Sequence, residues 1–162
     1  MVPESLTVRR YRGDDHDAVM DLHRSALAPV GALAEPGPWD ADLDEIEANY
    51  LTPGGEFLVG FLDGELVTMG ALRRVDPRTF YLKRMRVKPA LQRLGIGRYM
   101  LELLLDTAAR SGCDEVVLDT TRQQSAAIAL YRRYGFEQTG TGVVSGMDVL
   151  YFRLRLSAED RA

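Results

Sequence analysis

The sequence predicts an α/β fold in which a mixed β-sheet of about seven strands is covered by about four helices, and three features predict it. Apolar residues switch between a spacing of two and helical spacing along the chain, giving the order β-α-α-β-β-β-α-β-α-β-β. An Asp63-Gly64 step between two apolar runs marks a tight antiparallel hairpin. Helical stretches lying between strand-like runs supply the crossovers that parallel neighbours need.

Taken in order, Leu6, Val8 and Tyr11 nearly alternate over residues 5 to 12, which suits a first strand at the sheet edge. Asp14 or Asp15 caps a first helix, and Ala18, Val19, Leu22 and Ala26 form its inner stripe. A Pro- and Gly-rich loop, Pro29 to Pro38, interrupts the chain. Asp42 and Glu45 have capping-box spacing beside Leu43, Ile46 and Tyr50, a short second helix that stops at Thr52-Pro53-Gly54-Gly55. Phe57 to Leu62 and Leu66 to Leu72 flank the hairpin turn, and Phe80 to Val87 is a further strand stopped by Pro89. Ile96, Tyr99, Met100, Leu103, Leu104 and Ala108 keep helical spacing up to Gly112. Glu115 to Leu118 is a short strand. Thr121 and Gln124 again have capping-box spacing, ahead of Ala127, Leu130, Tyr131 and Tyr134 in a helix ending at Gly135. Phe136 to Val144 and Asp148 to Leu156 close the sheet, and the alternating last strand, Val149 to Leu156, could pair across a homodimer. We read one domain, 1 to 156, with a short tail, 157 to 162.

Composition narrows the function. At 162 residues, 46% of them hydrophobic, the chain can bury one core. Glu4, Arg9, Arg10 and Asp14 break the first twenty residues, so neither a signal peptide nor a membrane span is expected, and the protein should be soluble and cytoplasmic. Cys113 is the only cysteine, and with His16 and His23 it assembles no metal cluster of recognised spacing, so no metal is expected. The net charge of −4 conceals two opposed runs: thirteen Asp or Glu and one Arg from Gly13 to Glu65, then nine Lys or Arg and one Asp from Arg73 to Arg98. The basic run is either a place for an anion or a solvated face. Nucleic acid is a poor candidate for that anion, because the remainder is acidic and no aromatic-basic RNA-binding motif is present.

Phe80 to Arg98 passes from a strand through a loop into a helix start, where unpaired N–H groups and the positive end of the helix dipole meet. Gly95 and Gly97 let the backbone approach a diphosphate, and Arg93 and Arg98 add mobile charge. A Rossmann G-x-G-x-x-G would need glycine where the chain has Met100, and no P-loop pattern occurs. Taken alone, a G-x-G at a helix start is a weak signal and often no more than a tight turn.

Three segments in order supply the context: Leu82-Lys-Arg-Met-Arg-Val, the Q-x-x-G-x-G of Gln92 to Gly97, and Ala127-Ile-Ala-Leu-Tyr-Arg-Arg-Tyr-Gly-Phe136. On these the chain resembles the GNAT superfamily of acetyl-coenzyme A dependent N-acetyltransferases, over roughly residues 6 to 156. The resemblance implies a sheet splayed at its centre, with acetyl-CoA as cosubstrate and no metal. It implies that the main chain around Met85, Arg86 and Val87 pairs with the pantetheine arm, and that N–H groups of Arg93, Leu94, Gly95, Ile96, Gly97 and Arg98, with Gln92 at the start of the signature, hold the pyrophosphate. Tyr131 matches the family's tyrosine, a general acid for the departing thiolate; on residues alone a core tyrosine on the inner face of the helix is the better default.

The chain departs from the usual pattern at two positions. Many members carry Asn where this chain has Gln124, which either donates to pantetheine or completes a cap with Thr121. Many carry Glu where this chain has Tyr81, a poor base with its reference pKa near 10. Asp119 is then a candidate general base, directly or through water, or else a turn aspartate. The implied mechanism is direct attack of an amine on the acetyl carbonyl, with backbone N–H groups near the bulge facing the oxyanion. Cys113 lies away from the motifs and is read as a small buried residue. The resemblance implies that Tyr81 and Trp39 sit on the acceptor side, where Trp39 packs against the acceptor or else is a lid over the core, and Asp40, Asp42, Asp44, Glu45 and Glu47 there predict a cationic acceptor such as a polyamine, an amino sugar or a lysine side chain. The alternative is a catalytically silent acyl-CoA binding or sensing module.

Overall fold

The computed structural model describes residues 2–33 and 38–157, with Pro38 and Trp39 by backbone alone. Seven strands, β1 (Thr7–Arg10), β2 (Glu56–Leu62), β3 (Glu65–Asp76), β4 (Thr79–Val87), β5 (Glu115–Thr121), β6 (Glu137–Val144) and β7 (Met147–Arg155), form one sheet in the order β1-β2-β3-β4-β5-β7-β6. Only β4 and β5 run parallel. Asp63 and Gly64, at φ 50° and 80°, make the β2–β3 turn, and two consecutive left-handed residues match the twist of the strands they join. β1 is an edge strand, as its short alternating pattern predicts. β7 is not. It lies between β5 and β6, so both sides of its ladder are filled and it has no free edge for pairing across a homodimer.

Helices cover both faces. Against one face α1 (His16–Leu27) and the segment up to Leu51 bury Val19, Leu22, Leu43, Ile46 and Tyr50 on Phe57, Val59 and Met69. On the other, α2 (Ile96–Arg110) and α3 (Ser125–Arg133) bury Leu101, Leu104 and Tyr131 against Leu72, Phe80, Leu118 and Phe152. Alternation along each strand sends Ala71 to the first cluster and Leu72 to the second. Cys113 is buried in the second cluster.

Both capping boxes take another form. Between residues 38 and 51 there is a 3-10 turn, Pro38–Leu43, and one π turn, Glu47–Leu51, because the Asp42 carboxylate is bound to Arg84 and Tyr50 and caps nothing. Thr121 is the last residue of β5, and Gln124 itself occupies the cap of α3. Asp15 likewise precedes α1 without capping it; its carboxylate takes Arg9, at 2.8 Å, and the N–H of Arg12.

The feature that positions the site is the joint between β4 and β5. They pair only over Thr79–Tyr81 and Glu115–Val117, and from Leu82 onward β4 has no partner on that side. A bulge lies in the open part. Ala71 pairs with Lys83 and Met69 with Arg86, so Arg84 and Met85 together face Gly70. Arg84 adopts φ 61°, a left-handed conformation that costs a non-glycine residue free energy. A side chain at position 70 would bring its Cβ within 2.7 Å of Met85 Sδ and 2.8 Å of Leu104 Cδ1, so glycine there makes room for the bulged methionine.

A tighter constraint sits where β2 begins. Any Cβ on Gly55 would lie 2.1 Å from the Leu72 carbonyl oxygen and 2.7 Å from that of Tyr50, both fixed main-chain atoms. Gly55→Ala should therefore cost roughly 2–3 kcal/mol and lower the melting temperature by about 5–10 °C. A thermal denaturation curve matching the wild type would show that the strand start yields more readily than this geometry allows.

Candidate active site

The opening between β4 and β5 is a cavity of about 410 Å³. Its walls come from α1 (His23), the β4 bulge (Lys83 to Arg86), β5 (Asp119 to Thr121), α3 and the residue before it (Tyr131, Gln124) and the β6–β7 hairpin (Val144, Ser145, Met147). Sequence reasoning named Tyr81, Met85, Arg86, Asp119, Gln124 and Tyr131, and the fold brings all six to this one cavity. The side chain of Trp39 lies outside the described residues.

A buried ion network forms the wall on the α1 side. The Arg84 guanidinium holds Asp40 at 3.0 Å and Asp42 at 3.0 Å through Nε, and the Tyr50 hydroxyl donates to the same Asp42 carboxylate. For Asp42, burial pushes the pKa up but the Arg84 hydrogen bonds and charge win, and it stays below the ordinary carboxylate range. His23 and Arg84 hold Asp40 down at about 2. Burial lowers the pKa of His23, 3.4 Å from Asp40, so the pair that persists at neutral pH is Arg84 with Asp40. This arrangement redraws the charge map. Asp40 and Asp42 are committed to Arg84, and Lys88 to Glu65, while Asp44, Glu45 and Glu47 stay exposed. The acidic and basic runs thus partly neutralise each other.

Beyond the bulge, β4 ends at Val87 and the chain passes through a 3-10 turn, Pro89–Leu91, to α2. Gln92, Arg93 and Leu94 are exposed. Arg93 and Gly95 take φ 70° and 81°, and these two left-handed residues turn the main chain into the helix. The N–H groups from Arg93 to Arg98 find no acceptor among the described residues, a row of donors at a helix start. Ile96 contributes only its main chain, since its side chain is in the core. Gly97 lies against Val87, where an added Cβ would sit 3.5 Å from Val87 Cγ2. Arg98 departs from expectation: its Nε donates to Glu102 at 3.1 Å and to the Tyr134 hydroxyl at 2.9 Å, so it braces α2 to α3 and is not mobile charge. Residues 87 and 92–98 thus form a second patch outside the cavity lining.

Tyr131 packs its ring against Phe136 and Phe152, at 5.7 and 6.5 Å between centroids. Burial pushes its pKa up to about 12, so the hydroxyl keeps its proton at neutral pH. Across the opening, the Tyr81 hydroxyl donates to Asp119, and burial together with that bond raises the phenol pKa. Tyr81 therefore fixes the Asp119 carboxylate. Gln124 Nε2 is 3.4 Å from Thr121 Oγ1, and its amide carbonyl oxygen has no partner among the described residues. The Met85 carbonyl accepts from Arg86 Nη1 at 2.8 Å, and its second lone pair remains for another donor.

His23, Lys83 and Arg84 were missed as site residues. His23 was detectable in principle, because it falls at helical spacing with Val19, Leu22 and Ala26, one polar residue in an apolar stripe. Nothing local to Arg84 distinguishes it from its basic neighbours. No group of three or more His, Cys, Asp or Glu among the described residues could hold a metal ion, and no described helix is long and apolar enough to cross a membrane.

The sheet parts after a short parallel joint, and a row of N–H groups without acceptors among the described residues stands at the following helix start. The chain matches the Acetyltransferase (GNAT) family over residues 18–136, and it belongs to that family. It is 30% identical to an uncharacterised N-acetyltransferase, YjgM, of Escherichia coli K12 over 85% of each chain. A GNAT-family acetyltransferase from Staphylococcus aureus Mu50 superposes with a TM-score of 0.85 at 23% identity, covering 94% of this chain and 99% of that one. The Salmonella typhimurium protein yncA, solved with its cofactor acetyl-CoA, gives 0.77 at 26% identity over 95% of each.

The ion network carries a pH signature. Asp40 is depressed from 3.8 to about 2, so its stabilisation is complete above the unfolded value and is lost as pH falls through the folded one. Allowing for partial exposure, it contributes roughly 1–2 kcal/mol. Asp40→Asn should melt about 3–6 °C below wild type at pH 6, and the two curves should converge as pH falls to about 2. A gap that does not depend on pH would assign the effect of the substitution to packing alone.

Proposed function

We propose that the protein transfers the acetyl group of acetyl-CoA to a primary amine by direct attack, with Tyr131 as general acid. The observation that carries this reading is one of placement. The edge of β4 that β5 leaves open, Leu82 to Val87, leads through the 3-10 turn Pro89–Leu91 to the loop whose N–H groups lack acceptors among the described residues, so an extended amide chain ending in phosphates would match both surfaces at once. The main chain of Met85, Arg86 and Val87 would hold the amide arm. The main-chain donors from Arg93 to Arg98, following Gln92, would hold the diphosphate, and of Arg93 and Arg98 only Arg93 has a side chain without a partner among the described residues.

Acetyl-CoA, when bound, supplies a thioester acyl donor with a thiolate leaving group. The Tyr131 hydroxyl, protonated and without a hydrogen-bond partner among the described residues, is available to donate at the cavity wall. Asp119, oriented by Tyr81, accepts the proton of the incoming amine directly or through water. Backbone N–H groups at the bulge face the developing oxyanion. Of the acidic residues that predicted a cationic acceptor, Asp44, Glu45 and Glu47 remain exposed and would attract its ammonium group, since Asp40 and Asp42 are neutralised by Arg84.

One observation favours a second reading, a silent acyl-CoA binding module: the residue at position 81 is a tyrosine, and its hydroxyl occupies the Asp119 carboxylate of β5. Two measurements separate the readings. Calorimetric titration with acetyl-CoA should show saturable binding that a Gly95→Val variant, strained at φ 81°, loses at least about tenfold. With an amine panel, free thiol should be released, and Tyr131→Phe should lower kcat by about a hundredfold while acetyl-CoA still binds. Binding without turnover in the wild type would favour the silent module, and absence of binding would sink both.

A further inference from the structure

Among the described residues, both ring nitrogens of His23 and Nε of Arg86 are buried without a well-aligned hydrogen bond, although His23 Nε2 lies 3.4 Å from an Asp40 carboxylate oxygen. Both residues line the same cavity. Native folds rarely leave such atoms unpaired, because each loses its hydration without compensation. Their coincidence at one wall therefore points to a ligand group.

Charge narrows its chemistry. Each carboxylate near Arg86 is already engaged: Arg84 takes Asp40 and Asp42, and Tyr81 takes Asp119. Arg86 forms no ion pair among the described residues, and the one hydrogen bond of its guanidinium among them runs back to the carbonyl of Met85, its neighbour on the strand. Burial and the charge of Arg84 depress its pKa to about 10, the response of a cation short of a counter-ion. Lys83, half-buried in the same wall, also lacks an ion pair among the described residues, and burial lowers its pKa. His23 is near enough to Arg86 for the positive charge to disfavour its own protonation, and neutral imidazole offers one N–H and one lone pair. A planar anion with two acceptor oxygens is the complement of a guanidinium flanked by such a donor. The phosphates of coenzyme A are not that anion, because the N–H row for them begins beyond the end of β4.

We propose that the acceptor amine also carries a carboxylate, as an amino acid does, and that Arg86, with a ring N–H of His23 beside it, binds that carboxylate. This rests on the acetyl-transfer reading above. The carboxylate anchors the acceptor in the α1-side wall, and its amine is left to face Asp119.

The test compares free amino acids with their own carboxamides as acceptors for the wild-type protein and acetyl-CoA, read as kcat/KM from thiol release. The best acids should exceed their amides by about tenfold or more, the strength of a charge-assisted bond. In Arg86→Met that ratio should fall towards one, and Arg86→Lys should restore part of it. Taking the ratio within one variant removes any shared effect on cofactor binding or folding. A wild-type ratio near one, or a ratio unchanged in Arg86→Met, overturns the proposal; should the variants fail to fold, the wild-type ratio decides. If acetyl-CoA binds but no amine is acetylated, the coenzyme A complex is titrated with N-acetyl amino acids and their amides. Saturable binding of the acids alone then supports the carboxylate site, and equal or absent binding overturns it. Failure of acetyl-CoA to bind in the same calorimeter is a separate result, and it removes the transfer reading together with this one.

Discussion

The grip of Arg84 on Asp40 and Asp42 is the interaction on which the site depends. It spans 42 residues of chain to Asp42 and ties the irregular segment after α1 to the middle of the sheet. The same residue holds the left-handed bulge, so the free energy lost to backbone strain is offset where it arises. Because Arg84 turns towards the α1 side, Met85 turns under Gly70 towards α2, and β4 leaves the line that would carry it along β5. An ion pair this deep adds little net stability compared with an apolar substitute, but removing one partner leaves a buried charge uncompensated. Its role lies in fixing one geometry.

That network also explains why charge counted along the chain misdirects. The two runs have opposite sign and are far apart in sequence, yet the fold lays part of one against part of the other. Two kinds of group are left over for ligands: main-chain donors after β4, and side chains whose natural partners a stronger competitor has taken.

Much of the fold was legible because it is written in local rules. The Asp-Gly turn, the apolar stripe of α2 and the glycine at the helix start each depend on a few consecutive residues, and each took the form those residues predict. The site motifs were legible for the same reason, with Tyr131, Asp119 and Gln124 meeting at one wall. What escaped depends on distant partners. Asp42 has a capping spacing but a better hydrogen-bond partner in Arg84; Thr121 has one too but is held in the β5 ladder opposite Val149. The alternation of β7 cannot show that β6 returns to cover its far side. Arg98 reads as loose charge until α3 brings Tyr134 against it.

The parallel joint also has a mechanical side. Two half-sheets, β1 to β4 and β5 to β7, share a ladder of only Thr79–Tyr81 against Glu115–Val117. A molecule seated between them with its own amides would complete the row of cross-strand bonds that the polypeptide leaves unfinished. On the proposed reading, loading would also consolidate the joint between β4 and β5, whose own ladder is three residues long.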